Sequence, residues 1–120
     1  MQNYVGIFRN EEDLKKGLRE LDSLKARAEE VRVEGSRLFN PGWHLARDLK
    51  AMLTVSEAVA LSALERKESR GAHSRIDYPN YDEVWSKRNN IIMQGESEMV
   101  LRQKPIEEMP AELEQILEGK

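Results

Sequence analysis

A mainly α-helical chain is predicted from three observations. Apolar residues recur at steps of three and four along two long stretches, Leu14–Val31 and Leu45–Ala63. Each stretch is preceded by an asparagine suited to capping a helix, Asn10 and Asn40. Charged residues make up 34% of the chain and aromatics only 6%. That balance suits amphipathic helices with solvated faces better than a β-sandwich.

The length of 120 residues fits one domain, and 39% hydrophobic content supports a modest core. A net charge of −3 gives the whole chain no attraction for a phosphate backbone. Without cysteines there are no disulfides and no thiolate chemistry, which fits a reducing compartment. Residues Met1 to Asn10 have no basic leader and no long apolar run, and no apolar run approaches the roughly 20 residues that span a bilayer. The expectation is a soluble, intracellular chain.

In chain order, Tyr4, Val5, Ile7 and Phe8 read as the last turns of a helix that begins before, or barely within, this chain. Asn10 then caps a helix whose first turn carries Glu11, Glu12 and Asp13, favourable beside the positive dipole end. Leu14, Leu18, Leu21, Leu24, Ala28 and Val31 form its heptad-like seam. Gly17 weakens this helix by roughly 1 kcal/mol relative to alanine, with a close helix crossing as the second reading. A loop with a turn at Glu34-Gly35-Ser36 follows.

Asn40-Pro41 opens the longer helix, with proline at its first position. Leu45, Leu49, Met52, Val59 and Ala63 keep the helical period up to Ser69. Small residues in its middle, Ser56, Ala58, Ala60, Ser62 and Ala63, predict a central place in a bundle. At Thr54-Val55-Ser56 a kink, or a division into two helices, remains open. Gly71 is the expected helix stop, a left-handed residue with Arg66, Lys67 and Arg70 facing the negative dipole end. Pro79 keeps Tyr78 out of helical geometry. Asn89–Met93 and Glu98–Arg102 predict a β-hairpin, which needs a surface to lie on. Ala111–Leu117 predicts a short final helix.

Candidate chemistry is sparse. No glycine-rich phosphate loop is present, and the two histidines, His44 and His73, are far apart. His73 with Asp77 is a thin metal-ligand pair on a loop. Glu57 and Glu65 share a helix face without a visible pocket or partner for acid/base work. The basic cluster Arg66, Lys67, Arg70 and Arg75 is offset by Glu65 and Glu68, and Tyr78 and Tyr81 make a small stacking platform, so nucleic acid is not the expected partner. Arginine forks suit carboxylates and backbone carbonyls.

The run Glu68-Ser69-Arg70-Gly71-Ala72-His73-Ser74-Arg75, followed by Asp77-Tyr78-Pro79, resembles the C-terminal region of the succinate dehydrogenase/fumarate reductase flavoproteins. That superfamily includes L-aspartate oxidase and adenylylsulfate reductase. Val5-Gly6-Ile7-Phe8-Arg9-Asn10 resembles the family's Gly-x-x-Arg helix end. The resemblance implies a three-helix, spectrin-repeat-like bundle over residues 1–75. An extended tail over residues 76–120 would hold the hairpin and short terminal helix and pack on an upstream FAD domain.

It further implies a parent enzyme passing electrons between FAD and a dicarboxylate such as succinate or fumarate. An iron–sulfur electron-transfer subunit is the implied partner, with a cytoplasmic place at the inner face of the membrane. The family's FAD-binding and dicarboxylate-binding residues lie upstream, and no position here matches them. No catalytic residue, cofactor-binding residue or metal ligand is therefore expected on this chain. Glu68, Arg70, Gly71, His73, Arg75, Asp77 and Tyr78 are expected to dock or order the interface with the FAD domain. The rival reading is a stand-alone helical interaction module.

Overall fold

The computed structural model describes residues 1–117. A short turn near Met1 leads into strand β1 (Phe8–Arg9), followed by helix α1 (Glu11–Ala28) and helix α2 (Pro41–Glu65). Strand β2 (Ser74–Arg75), helix α3 (Glu83–Ser86), strands β3 (Arg88–Gln94) and β4 (Met99–Pro105), and helix α4 (Ala111–Leu117) complete the order. The molecule is elongated, 65 × 34 × 28 Å.

Both caps form as their residue types dictate. Asn10 Oδ1 accepts the Asp13 N–H at 2.8 Å, and Asn10 Nδ2 donates to the Asp13 carboxylate at 2.7 Å. Asn40 Oδ1 accepts the Gly42 N–H at 3.0 Å with Pro41 at the helix start. α2 runs unbroken through Thr54-Val55-Ser56, giving one rod of about 37 Å.

α1 and α2 pack side by side. Leu14 and Leu21 of α1 meet Leu53, Ala60 and Ala63 of α2, with Val5 closing one end of the core. The alanines let the two backbones approach. Polar links run along the outside: Lys25 pairs with Glu57 at 2.5 Å and Lys50 with Glu29 at 3.0 Å. Gly17 is buried for another reason than a helix crossing. A Cβ there would lie 3.0 Å from the Tyr4 Cβ and 3.3 Å from a Val5 methyl, so the missing side chain admits the N-terminal segment.

Three expectations need correction. Residues 1–75 form a helix pair, not a three-helix bundle, because Phe8 and Arg9 are extended and pair in parallel with Ser74 and Arg75. The Tyr4–Phe8 segment is likewise no helix end, although its first backbone bonds, from Tyr4 and Val5 to Met1, make a single turn. Third, α2 stops at Glu65, and Gly71 does not terminate it. Gly71 has φ of 57° in a two-residue turn closed by reciprocal Arg70 and His73 backbone bonds of 2.8 and 3.0 Å. It occupies the first central position, where a type II′ turn requires positive φ.

β3 and β4 pair antiparallel from Arg88↔Pro105 to Gln94↔Met99. The pair rests on the C-terminal half of α2 through Asn90 Nδ2 to the Ser62 carbonyl (3.2 Å) and Gln103 Nε2 to Glu65 (2.7 Å). The tail is thus only partly extended. α4 keeps Leu113, Ile116 and Leu117 exposed. Residues 118–120 of the expected tail lie outside the described residues. Among those described, no helix is long and apolar enough to cross a membrane.

Candidate functional site

The arginine–histidine loop gathers at the junction where α2 ends and α1 begins. α2 finishes with carbonyls that its own chain direction cannot satisfy. Arg75, 1% exposed, supplies the donors: its Nη1 reaches the carbonyls of Ala63, Leu64 and Arg66 at 2.8, 3.1 and 3.2 Å. Its Nε and Nη2 grip Asp77 as a two-pronged fork, both at 2.7 Å. Asp77 Oδ2 also accepts the Glu11 N–H at 2.9 Å, one of the free donors at the start of α1. One ion pair therefore caps the C-terminus of α2 and the N-terminus of α1 at once. The arginine fork and the Glu11 N–H hold the Asp77 carboxyl down at about 2. The Tyr78 ring lies 5.0 Å from the Arg75 guanidinium.

Ser69 braces this loop. Its Oγ accepts the Arg75 N–H at 2.8 Å and bonds the Tyr78 carbonyl at 2.8 Å. Glu68 is fully buried and anchors the next segment: it pairs with Arg66 and accepts the Asp82 N–H at 3.1 Å. Arg66 in turn reaches the carbonyls of Trp85 (3.1 Å) and Arg88 (3.0 Å). Arg70 is exposed at the turn, donating to the Ser86 carbonyl at 3.4 Å beside the Tyr81 ring.

His73 joins the loop to β1. Its Nε2 sits 3.1 Å from the Arg66 carbonyl and its Nδ1 sits 2.8 Å from Arg9 Nη1. A carbonyl only accepts and a guanidinium only donates, so the ring must be neutral with the proton on Nε2. Burial lowers the His73 pKa, with the positive charges of Arg9, Arg75 and Arg66 adding to the shift against its bond to the Arg66 carbonyl. Asp77 and Glu68 offset Arg75 and Arg66, and no carboxylate pairs with Arg9 among the described residues. Because the folded-state pKa lies below the ordinary value of about 6.5, this histidine's contribution to stability is complete above that value. It is lost as pH falls through the lowered pKa. In denaturant titrations from pH 7 to 5, His73→Gln should show a shallower fall in stability than the parent chain. Identical slopes would count against this assignment.

Every docking residue expected from the sequence lies at this junction, but most of their bonds are spent within the chain. His73 and Asp77, considered as metal ligands, have both ring nitrogens and both carboxylate oxygens engaged by protein. Glu57 pairs with Lys25 and Glu65 accepts from Gln103. His44 is exposed on α2. Sequence reasoning missed Arg9 and Ser69 as members of the network. Their signals were the arginine ending the N-terminal apolar cluster and the serine inside the loop motif.

A FAD cradle would need a different arrangement of donors. A dinucleotide diphosphate wants free N–H donors at a helix start beside a strand. Here the parallel pair is two residues long, and the α1 donors are taken by Asn10 and Asp77. These residues do not fit FAD.

A buried arginine paired with a surface aspartate closes the helix pair and defines a small helical module with an attached antiparallel strand pair. The chain belongs to the fumarate reductase flavoprotein C-terminal family, whose model matches residues 1–116. It is 39% identical over 97 residues to the succinate dehydrogenase flavoprotein subunit of Coxiella burnetii, covering 79% of this chain and 16% of that one. It is 43% identical over 95 residues to an uncharacterised FAD-dependent oxidoreductase of Methanocaldococcus jannaschii, covering 79% and 16% respectively. Mycobacterium smegmatis Sdh1 superposes with a TM-score of 0.86 at 41% identity, covering 98% of this chain and 20% of that one. E. coli quinol fumarate reductase FrdA, in a mutant form, superposes at 0.82 with 31% identity over 92% and 20%. The chain thus spans about a sixth to a fifth of the length of these relatives.

Proposed function

We propose that this chain acts as the C-terminal helical module of a FAD-dependent oxidoreductase of the succinate dehydrogenase/fumarate reductase type. The observation that carries this reading is the superposition of nearly the whole chain on a fifth of a much longer Sdh1 chain. Its role is structural: it docks against the FAD-bearing part and performs no redox step alone. Glu68, Arg75 and Asp77 keep the junction rigid from inside. Arg70, Gly71, His73 and Tyr78 shape the surface that the junction presents to the FAD domain. FAD and the dicarboxylate bind elsewhere in the parent, with an iron–sulfur subunit as its electron partner and a cytoplasmic place at the inner membrane face.

The test compares the 120-residue chain with the full flavoprotein carrying it. Succinate-dependent dye reduction and bound flavin absorbance are expected in the full protein and not in the chain alone. Stoichiometric yellow flavin on the purified chain would overturn the reading.

A further inference from the structure

An open groove of about 570 Å³ runs between α2, β1 and β3. Its floor is apolar, with Val55 62% and Val59 41% exposed. Its polar rim is Arg9, Arg66, His73 and Asn90, and no acidic residue lines it. Arg66 has Glu68, but Arg9 has no carboxylate partner among the described residues. Its Nε donates to the Gly6 carbonyl at 2.6 Å and its Nη1 to His73, leaving Nη2 without a protein acceptor. Asn90 donates to Ser62 while its Oδ1 is buried without a donor. A half-buried guanidinium with no counter-ion above an apolar floor is complementary to one kind of surface, an apolar segment that carries a carboxylate.

We infer that this groove receives an apolar segment of the parent flavoprotein whose carboxylate pairs with Arg9. This inference rests on the docking reading above and names the chemistry of the contact. A fork from Arg9 fixes the segment's register, while Val55 and Val59 supply the buried area.

The absence of native cysteines in this chain allows a direct test. Val59→Cys and, as a solvent-facing control on α1, Ser23→Cys are placed in the 120-residue chain and in the full flavoprotein. Maleimide labelling of each site is followed by mass spectrometry. Cys at 59 should label at least about tenfold more slowly in the full protein, while the control labels equally in both, as a closed contact excludes reagent. Adding Arg9→Glu should restore fast labelling, and Arg9→Lys should not. Because Arg9 also bonds within the chain, Val55→Asp provides a second disruption at an exposed position, and it too should restore labelling.

Equal labelling of Cys at 59 in both forms overturns the inference. Slow labelling that survives both Arg9→Glu and Val55→Asp overturns the carboxylate pairing. Leu45→Cys and Ile76→Cys separate the two levels of failure. Protection there with an open groove removes only this inference, whereas no protection at any site removes the docking reading as well.

Discussion

Asp77→Ala should lower the unfolding free energy of this chain by about 1.5–3 kcal/mol in urea titrations. The loss is large because Arg75 is 1% exposed and Asp77 is its one carboxylate partner among the described residues. Removing the carboxylate leaves the buried guanidinium with only the α2 carbonyls as acceptors, and the Glu11 N–H at the start of α1 loses its acceptor. Domains of this size have only about 5–15 kcal/mol in total, so a large share of the stability is at stake. Replacing both partners, Arg75→Met with Asp77→Ala, should recover part of the loss, since the uncompensated charge goes with the pair. The pH dependence has the matching sign. The Asp77 pKa is lowered to about 2 from 3.8, so its contribution is complete above the ordinary value and fades as pH falls toward the lowered one. A loss under about 1 kcal/mol for Asp77→Ala would contradict the clamp.

Glu68→Ala should cost about 3 kcal/mol and loosen residues 82–88 ahead of the helix pair. Glu68 is fully buried, and it joins the Arg66 guanidinium to the Asp82 N–H. Bonds to an ionised group contribute about 1.5–3 kcal/mol each. Arg66 would lose its anchor while still bonded to the Trp85 and Arg88 carbonyls, and its guanidinium lies 5.5 Å from the Trp85 ring. In a Trp43→Phe background, Trp85 fluorescence should shift to the red with little change in helical circular dichroism. An unshifted spectrum, or a parallel loss of helix signal, would mean that Glu68 does not act locally on this segment. Glu68 and the Arg75–Asp77 pair share Arg66, whose guanidinium pairs with Glu68 and whose carbonyl accepts from Arg75, so the two losses should be coupled rather than additive.

Both effects arise from a loop whose chemistry was visible in sequence while its geometry was not. Asn10 and Asn40 act within a turn of themselves, so their caps could be read directly. The same locality made α1 and α2 legible from their apolar period. Gly71 marked a positive-φ position correctly, but helix and hairpin turns both use such a glycine, and local sequence does not choose between them. The choice was made by Arg75, which caps α2 from ten residues past Glu65 and leaves Gly71 free to turn the loop back.

The N-terminal cluster shows the same limit from the other side. Tyr4, Val5, Ile7 and Phe8 have an apolar spacing compatible with a helix, yet Ile76 donates its N–H to the Arg9 carbonyl at 2.8 Å and draws Phe8 and Arg9 into a strand. Nothing within several residues of Arg9 announces His73, because the contact crosses 64 positions. The sequence by itself determined the two capped helices, the strand pair's segments and the family of the loop. Only the tertiary structure decided that the loop's ion pair binds two helix ends, with Arg75 inside and Arg9 left without a carboxylate partner among the described residues. The reason is physical: caps and periodicity are satisfied by neighbours in the chain, whereas a buried charge is satisfied by whatever folding brings to it.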